Sequence, residues 1–242
     1  PHAVKATLYE RAVEAYGRYY FIAFPNHELE AGRGARRSPL YDTLKRQGAV
    51  YGNKFGWERP NWFAPSGTPA VEVPTFERGP AFDAIAAEHR AVRERVALID
   101  MSSFSKFEVR GAGALALLQK LAVNDLDKPE GSIVYTQLCN ERGGIEADVT
   151  ITRLGAQRFY FVTGSALGVR DRSTIERHLP ADGSVDIVDH TSAKAVLNLC
   201  GPRSRDVLAQ LTDAPLDNAA FPYMSARELD LAFAPVLALR VT

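Results

Sequence analysis

The sequence predicts an α+β fold, and three observations carry that reading. Short runs such as Phe104–Arg110 and Ile145–Arg153 alternate with the two-residue period of half-buried strands. Other runs, Ala81–Val96 and Ala114–Leu121, repeat apolar residues every three or four positions, as amphipathic helices do. A strand–glycine–helix pattern then occurs twice. Phe107–Gly111 leads to Leu117, Leu118 and Leu121; about 90 residues later Leu197–Gly201 leads to Val207, Leu208 and Leu211. Two related α+β halves are the natural reading of that echo, with coincidence as the rival for so short a match.

In chain order, His2–Tyr20 has a helical spacing, and Tyr19–Phe24 reads as a strand or buried segment stopped at Pro25. Glu28–Arg37 is polar and glycine-bearing, a loop. Ser38–Pro39 has the form of a helix start, with Ser38 as N-cap, Tyr41–Gln47 as the helix and Gly48 as its stop. Prolines at 60, 65, 69 and 74 exclude helix and favour an extended connector, with Trp57, Trp62 and Phe63 as its anchors. A second unit starts near Val73. Helix Ala81–Val96 is expected to bury Phe82, Ile85, Ala86, His89, Val92 and Val96, and helix Ala114–Leu121 its leucines. Ile133–Cys139 and Ile145–Arg153 are strands joined by Asn140–Gly144 as a hairpin turn, and Arg158–Thr163 is a further strand. Ala166–Leu179 is a helix with Ser165 as its N-cap; Val185–Val188 and Ala193–Cys200 are strands. Pro235–Thr242 is another strand, and its abrupt apolar end is what a chain cut within a domain would show.

The 242 residues carry 29 acidic and 29 basic side chains, so no basic surface for nucleic acid is expected. No apolar run approaches the roughly 20 residues of a membrane helix, no leader pattern follows Pro1, and a cytoplasmic setting is expected. Cys139 and Cys200 sit in apolar runs as reduced residues, and the histidines lack metal-ligand spacing, so no metal site is expected. A Gly-x-Gly-x-x-Gly turn after a strand is absent, so dinucleotide binding by this chain is not expected.

Two segments carry a family resemblance. Leu98–Thr150, with LIDMSSFSKFEVRG, then Asn124-Asp125-Leu126, then VYTQLCNERGGIEADVT, resembles the folate-binding region of the aminomethyltransferases, the T-protein of glycine cleavage and its relatives. The upstream run SPLYDTLKRQGAVYGNKFGWERPNWFAP is similar to the connector of dimethylglycine and sarcosine dehydrogenases. The resemblance implies a T-protein-like folate-binding fold with related α+β subdomains around a central folate cavity, preceded by a small connector region. It implies residues 1–72 as the end of a flavin-oxidoreductase connector domain and 73–242 as a folate-binding domain truncated at its C-terminus. In such an enzyme an upstream flavin domain, holding FAD, oxidises a methylated amine, and tetrahydrofolate accepts the one-carbon unit. The chain alone is expected to be inactive as an oxidase. A stand-alone aminomethyltransferase and a non-catalytic folate-binding or scaffolding module are the alternatives.

The resemblance assigns Asp125 to folate N10, where a carboxylate can take or position a proton and favour developing positive charge. From the residues alone, an Asn-Asp turn with a solvated carboxylate explains the same motif, and Asn124, a candidate folate contact beside Asp125, more readily serves the turn. Strand alternation places Tyr135 and Gln137 on one face, where a phenol ring and an amide suit a pterin, and Thr136 on the other. Tyr135 is expected on a pterin wall, with core packing an equal alternative, and Asp148 behind the site. Thr163 and Gly164 form a turn that approaches folate in the family, although a helix cap alone would explain them. Ser102, Ser103, Ser105 and Lys106 are signature positions without a placed base, so nucleophilic catalysis is not expected there. Gly111-Ala112-Gly113 stands where relatives carry Gly-Pro-Asp, which removes the best cap of the following helix.

Overall fold

The computed structural model describes residues 5–241. Along the chain run α1 (Lys5–Gly17), α2 (Tyr41–Arg46), β1 (Ala49–Lys54), β2 (Trp57–Phe63), α3 (Ala81–Glu94), β3 (Ala97–Asp100), β4 (Ser105–Arg110) and α4 (Ala114–Leu121). There follow β5 (Ile133–Cys139), β6 (Ile145–Gly155), β7 (Arg158–Thr163), α5 (Gly168–Glu176), β8 (Asp186–Asp189), β9 (Leu197–Cys200), α6 (Ser204–Leu208), β10 (Ser225–Leu231) and β11 (Ala234–Arg240). They form two compact units: residues up to Ser103 with Ala195–Pro202, and Phe104–Lys194 with Arg203 onward. Among the described residues no helix is long and apolar enough to cross a membrane.

In the first unit the Trp/Pro segment is more ordered than an extended connector. β1 and β2 pair antiparallel with a register shift between Val50 and Tyr51. Pro60 sits at that irregularity, opposite Tyr51. A two-stranded sheet has free edges, so the missing N–H of a proline is tolerated. Trp57 and Trp62 are the expected anchors: both are buried, Arg36 stacks 4.3 Å from the Trp57 ring, and the Trp62 indole donates to Glu72 at 3.1 Å.

Three expectations for this unit are corrected. Tyr19–Phe24 is neither strand nor buried, and Tyr20 and Ile22 are exposed, because no described strand pairs with the segment. Ser38 is not the N-cap residue; Leu40 occupies that position, and the Ser38 hydroxyl accepts the Leu40 N–H at 3.2 Å and donates to Asp100. α3 turns its small side over: Ala84 is buried beside Ala81, Val50 and Trp62, whereas Phe82 and Ile85 are exposed. α3 presents Ala81 and Ala84 to the cluster of Val50 and Trp62, and its Glu88 accepts the Phe63 N–H at 2.9 Å.

The second unit is built on an antiparallel sheet in the order β5-β6-β7-β4-β8. Alternation sends Phe107, Val109, Val149, Ile151, Phe159 and Phe161 to one face, where Leu117, Leu118 and Leu121 of α4 and Ile175 of α5 complete the core. α4 matches its predicted span, and its N-cap is Gly113 with no side-chain cap bond. α5 is shorter than predicted and starts from Leu167, so Ser165 is not its cap. The turn after β5 is held by Asn140, whose Oδ1 accepts the N–H groups of Arg142 and Gly144, both at 3.0 Å. β10 and β11 pair along their whole length over Leu216, Phe221 and Leu229. β10 escapes sequence reading because Arg227, Glu228 and Asp230 obscure its alternation.

The repeated strand–glycine–helix pattern has a common backbone basis. Gly111 follows β4 with φ +120°, and Gly201 follows β9 with φ +114°. Each also lies against backbone: an added Cβ would fall 2.2 Å from the Ser184 carbonyl oxygen at Gly111 and 2.7 Å from that of Arg95 at Gly201. Only glycine meets both demands.

Candidate functional site

α4 ends at Leu121, and the chain turns through Val123, Asn124 and Asp125 before returning as β5. Leu118 and Leu121 anchor the helix in the core, which fixes where this turn begins. The Asn124 N–H donates to the buried Thr136 hydroxyl at 3.0 Å, and its side-chain amide donates to the Tyr135 carbonyl at 2.9 Å. Asn124 therefore shapes the turn, as its motif suggested.

The Asp125 carboxylate is half exposed and receives three donors. Lys128 Nζ lies 2.6 Å from Oδ2; the Gln119 amide and the Asp127 N–H reach Oδ1 at 2.8 and 2.9 Å. Lys128 foremost, then the Asp127 N–H and Gln119, hold its pKa down to about 2. The donors are themselves placed. Gln119 Oε1 accepts the Leu126 N–H at 2.8 Å, and Arg153 of β6 donates to Asp127 at 2.5 Å and to the Lys128 carbonyl at 2.7 Å.

Asp125, Asn124 and Tyr135 line one open hollow of about 500 Å³, together with Lys128, Val123, Ile133, Val134 and Met224. The expected face is present: Tyr135 is half exposed, Gln137 partly so, and Thr136 buried. The Tyr135 hydroxyl donates to Asp148 at 2.7 Å, and that bond leads the causes that raise its pKa. Tyr135 is the one aromatic in this lining; Asn124, Asp125 and Lys128 make it polar on one side, and Val123, Ile133, Val134 and Met224 supply its apolar part. Met224 is held at φ +57°, a left-handed conformation costly for a side chain. Its N–H donates to Arg240 O at 2.8 Å, and its carbonyl accepts the Ile133 N–H at 2.9 Å.

Gln137, Thr163 and Gly164 are not part of that lining. Thr163 is buried, and its hydroxyl donates to the buried Asp171 at 2.6 Å, tying β7 to α5. Gly164 accepts the Leu167 N–H at 3.0 Å in the turn before α5, and nothing lies within 4 Å of where its Cβ would be. Sequence reasoning missed Gln119, Lys128, Arg153 and Met224. Gln119 and Lys128 lie six residues before and three after Asp125 and were within reach of a local reading. Arg153 and Met224 arrive through strand pairing and turn geometry and had no local signal.

The chain matches the GCVT N-terminal domain family over residues 40–242. It is 37% identical to 4-methylaminobutanoate oxidase (formaldehyde-forming) of Paenarthrobacter nicotinovorans, over 97% of this chain and 28% of that protein. It is 38% identical to the mitochondrial pyruvate dehydrogenase phosphatase regulatory subunit of Mus musculus, over 94% of this chain and 26% of that one. Human mitochondrial sarcosine dehydrogenase is 33% identical, over 96% of this chain and 30% of its own length. The chain thus spans under a third of these relatives. Among solved structures, the glycine cleavage aminomethyltransferase T of Bartonella henselae superposes with a TM-score of 0.63 at 25% identity, covering 79% of this chain and 46% of that one. A matched family over most of the chain, a T-protein as structural neighbour and dehydrogenase relatives across nearly its whole length agree. The chain belongs to the GCVT N-terminal domain family, beside the sarcosine dehydrogenases and the 4-methylaminobutanoate oxidase it resembles in sequence.

Proposed function

We propose that this chain is the folate-binding portion of an FAD-dependent N-demethylating dehydrogenase of the dimethylglycine or sarcosine type. Residues 1–72 are its connector to a flavin domain, the substrate is a methylated amine, and the setting is cytoplasmic. The observation that carries the reading is Asp125, held ionised by three donors in one hollow with Tyr135. The hollow's volume lies in the range of small-molecule sites, and a carboxylate, a phenol and an apolar wall suit a flat, amine-bearing ring. Tetrahydrofolate, when bound, supplies the nucleophilic nitrogen that accepts a one-carbon unit.

Within this reading Asp125 acts as a fixed negative charge rather than as a proton store. With a pKa near 2 it is a weak base at neutral pH, and its value lies in accepting an N–H bond and favouring positive charge at a reacting nitrogen. Tyr135 covers the ring, with Val123, Ile133 and Met224 excluding water from one side. Gln137, Thr163 and Gly164 support the surrounding sheet and turn in this reading rather than the ligand.

The mouse regulatory subunit favours a second reading, a module of this fold without catalysis. Asp125→Asn separates the two. In the full-length protein, tetrahydrofolate-dependent capture of the one-carbon unit should fall by roughly 10²-fold or more while amine oxidation persists. A wild-type protein that binds tetrahydrofolate but captures nothing would support the module.

A further inference from the structure

We propose that Arg153 of β6 is the positioning residue of this site, clamping the turn so that Lys128 and the Asp127 N–H stay on Asp125. What the carboxylate then does for a ligand rests on the folate reading. The turn needs such a clamp. Among the described residues no helix or strand runs between Leu121 and Ile133, and the side chains of Asp125, Lys128 and Asp127 are about half exposed or more. An ion pair between side chains so exposed adds little order on its own, because holding both in one geometry costs entropy. Yet Lys128 and the Asp127 N–H lead the causes that keep Asp125 ionised.

Arg153 supplies the missing order. Strand alternation continues the core-facing series Val149, Ile151, Arg153, and the guanidinium lies 5.7 Å from the ring of the buried Phe159 opposite it. Its side chain is 16% exposed, against 63% for Asp127. From that seat one nitrogen, Nη1, donates to Asp127 Oδ1 at 2.5 Å and to the Lys128 carbonyl at 2.7 Å. The backbone of Arg153 grips the far end of the same turn: its carbonyl accepts the Gly131 N–H at 2.7 Å, and its N–H donates to Ser132 O at 2.9 Å. Its Nε is buried without a hydrogen-bond partner, and the two bonds to the turn explain why the guanidinium sits there. Arg153 is not in the hollow's lining, so its effect on Asp125 passes through residues 127 and 128. Charge alone would act the other way, since a guanidinium opposes positive charge at a ligand nitrogen beside Asp125. A fall in turnover on removing it therefore reports geometry.

The test is Arg153→Met in the full-length protein, which removes the guanidinium and keeps an apolar stem on Phe159. Amides of residues 122–131, read by hydrogen-exchange mass spectrometry without ligand, should exchange about tenfold faster, with β4 and β7 unchanged. For tetrahydrofolate-dependent one-carbon capture, kcat should fall about tenfold while KM for tetrahydrofolate stays within about threefold. Arg153→Lys keeps a donor and the charge, and should recover kcat to within about threefold of wild type. Asp127→Ala deletes only the exposed end of the clamp, is expected to fold, and should speed exchange in the turn about threefold. Unchanged exchange in the turn for both Arg153→Met and Asp127→Ala, or faster exchange throughout the sheet, overturns the proposal. So does a looser turn with kcat intact, which leaves the folate reading standing. Wild-type protein that captures no one-carbon unit removes the folate reading alone, and turn exchange still decides the clamp.

Discussion

Lys128, Gln119 and the Asp127 N–H converge on one half-exposed carboxylate, and this decides how Asp125 can act. Its pKa is depressed, so the paired state is complete above the ordinary aspartate value and is lost only as pH falls through about 2. Titration of Asp125 should therefore leave no mark on a pH profile between roughly 5 and 8. Lys128→Met removes the largest cause, and carbon NMR of the carboxyl should then show the pKa moving up towards the ordinary range. An unchanged titration would mean that the ion pair does not form in solution. The Asn-Asp turn could be read in the sequence, but its donors could not all be. Gln119 looks like one more polar residue on an amphipathic helix, and Arg153 reaches Asp127 from 26 positions away.

At the scale of elements, the period-2 and period-3.6 patterns located β4, α4, β5, β6 and β7 closely, because each buries one face against a large core. The same logic misled where the core is small. α3 has its strongest apolar residues on the side away from Trp62 and presents Ala81 and Ala84 to it. The Trp/Pro run forms a strand because a two-stranded sheet leaves Pro60 an unpaired edge. The glycine of the repeated motif gives a direct test. Gly111→Ala places a Cβ at 2.2 Å from a carbonyl oxygen at φ +120°, and should cost roughly 2–4 kcal/mol in urea unfolding. Gly183 also has a positive φ, +72°, but open space around it, so Gly183→Ala should cost only about 1 kcal/mol. Equal losses would show that steric approach plays no part at Gly111.

For the whole molecule, burial is unevenly shared between the two units. The second has a continuous core across its sheet, α4 and α5; the first relies on Val50, Trp62 and Ala84 with a few partly buried alanines. Local opening follows such differences in apolar packing. Amides of β1 and β2 should exchange at least about tenfold faster than those of β4 and β7, read by hydrogen-exchange mass spectrometry. Equal protection would mean that the first unit draws stability from contacts outside its own core. The candidate site lies wholly in the better-packed unit, where a turn carrying Asp125 can be held to a fixed geometry. The fold family was legible because its motifs are local, whereas the hollow's far wall at Met224 depends on a turn that meets β5 only in three dimensions.

Whether Asp125 faces a bound folate is decided by a crystal structure of the full-length protein with tetrahydrofolate. Folate N10 is expected within hydrogen-bonding distance, about 3 Å, of the Asp125 carboxylate, with the Tyr135 ring against the pterin. Ligand density elsewhere, with Asp125 still bound only to Lys128, Gln119 and Asp127, would contradict it.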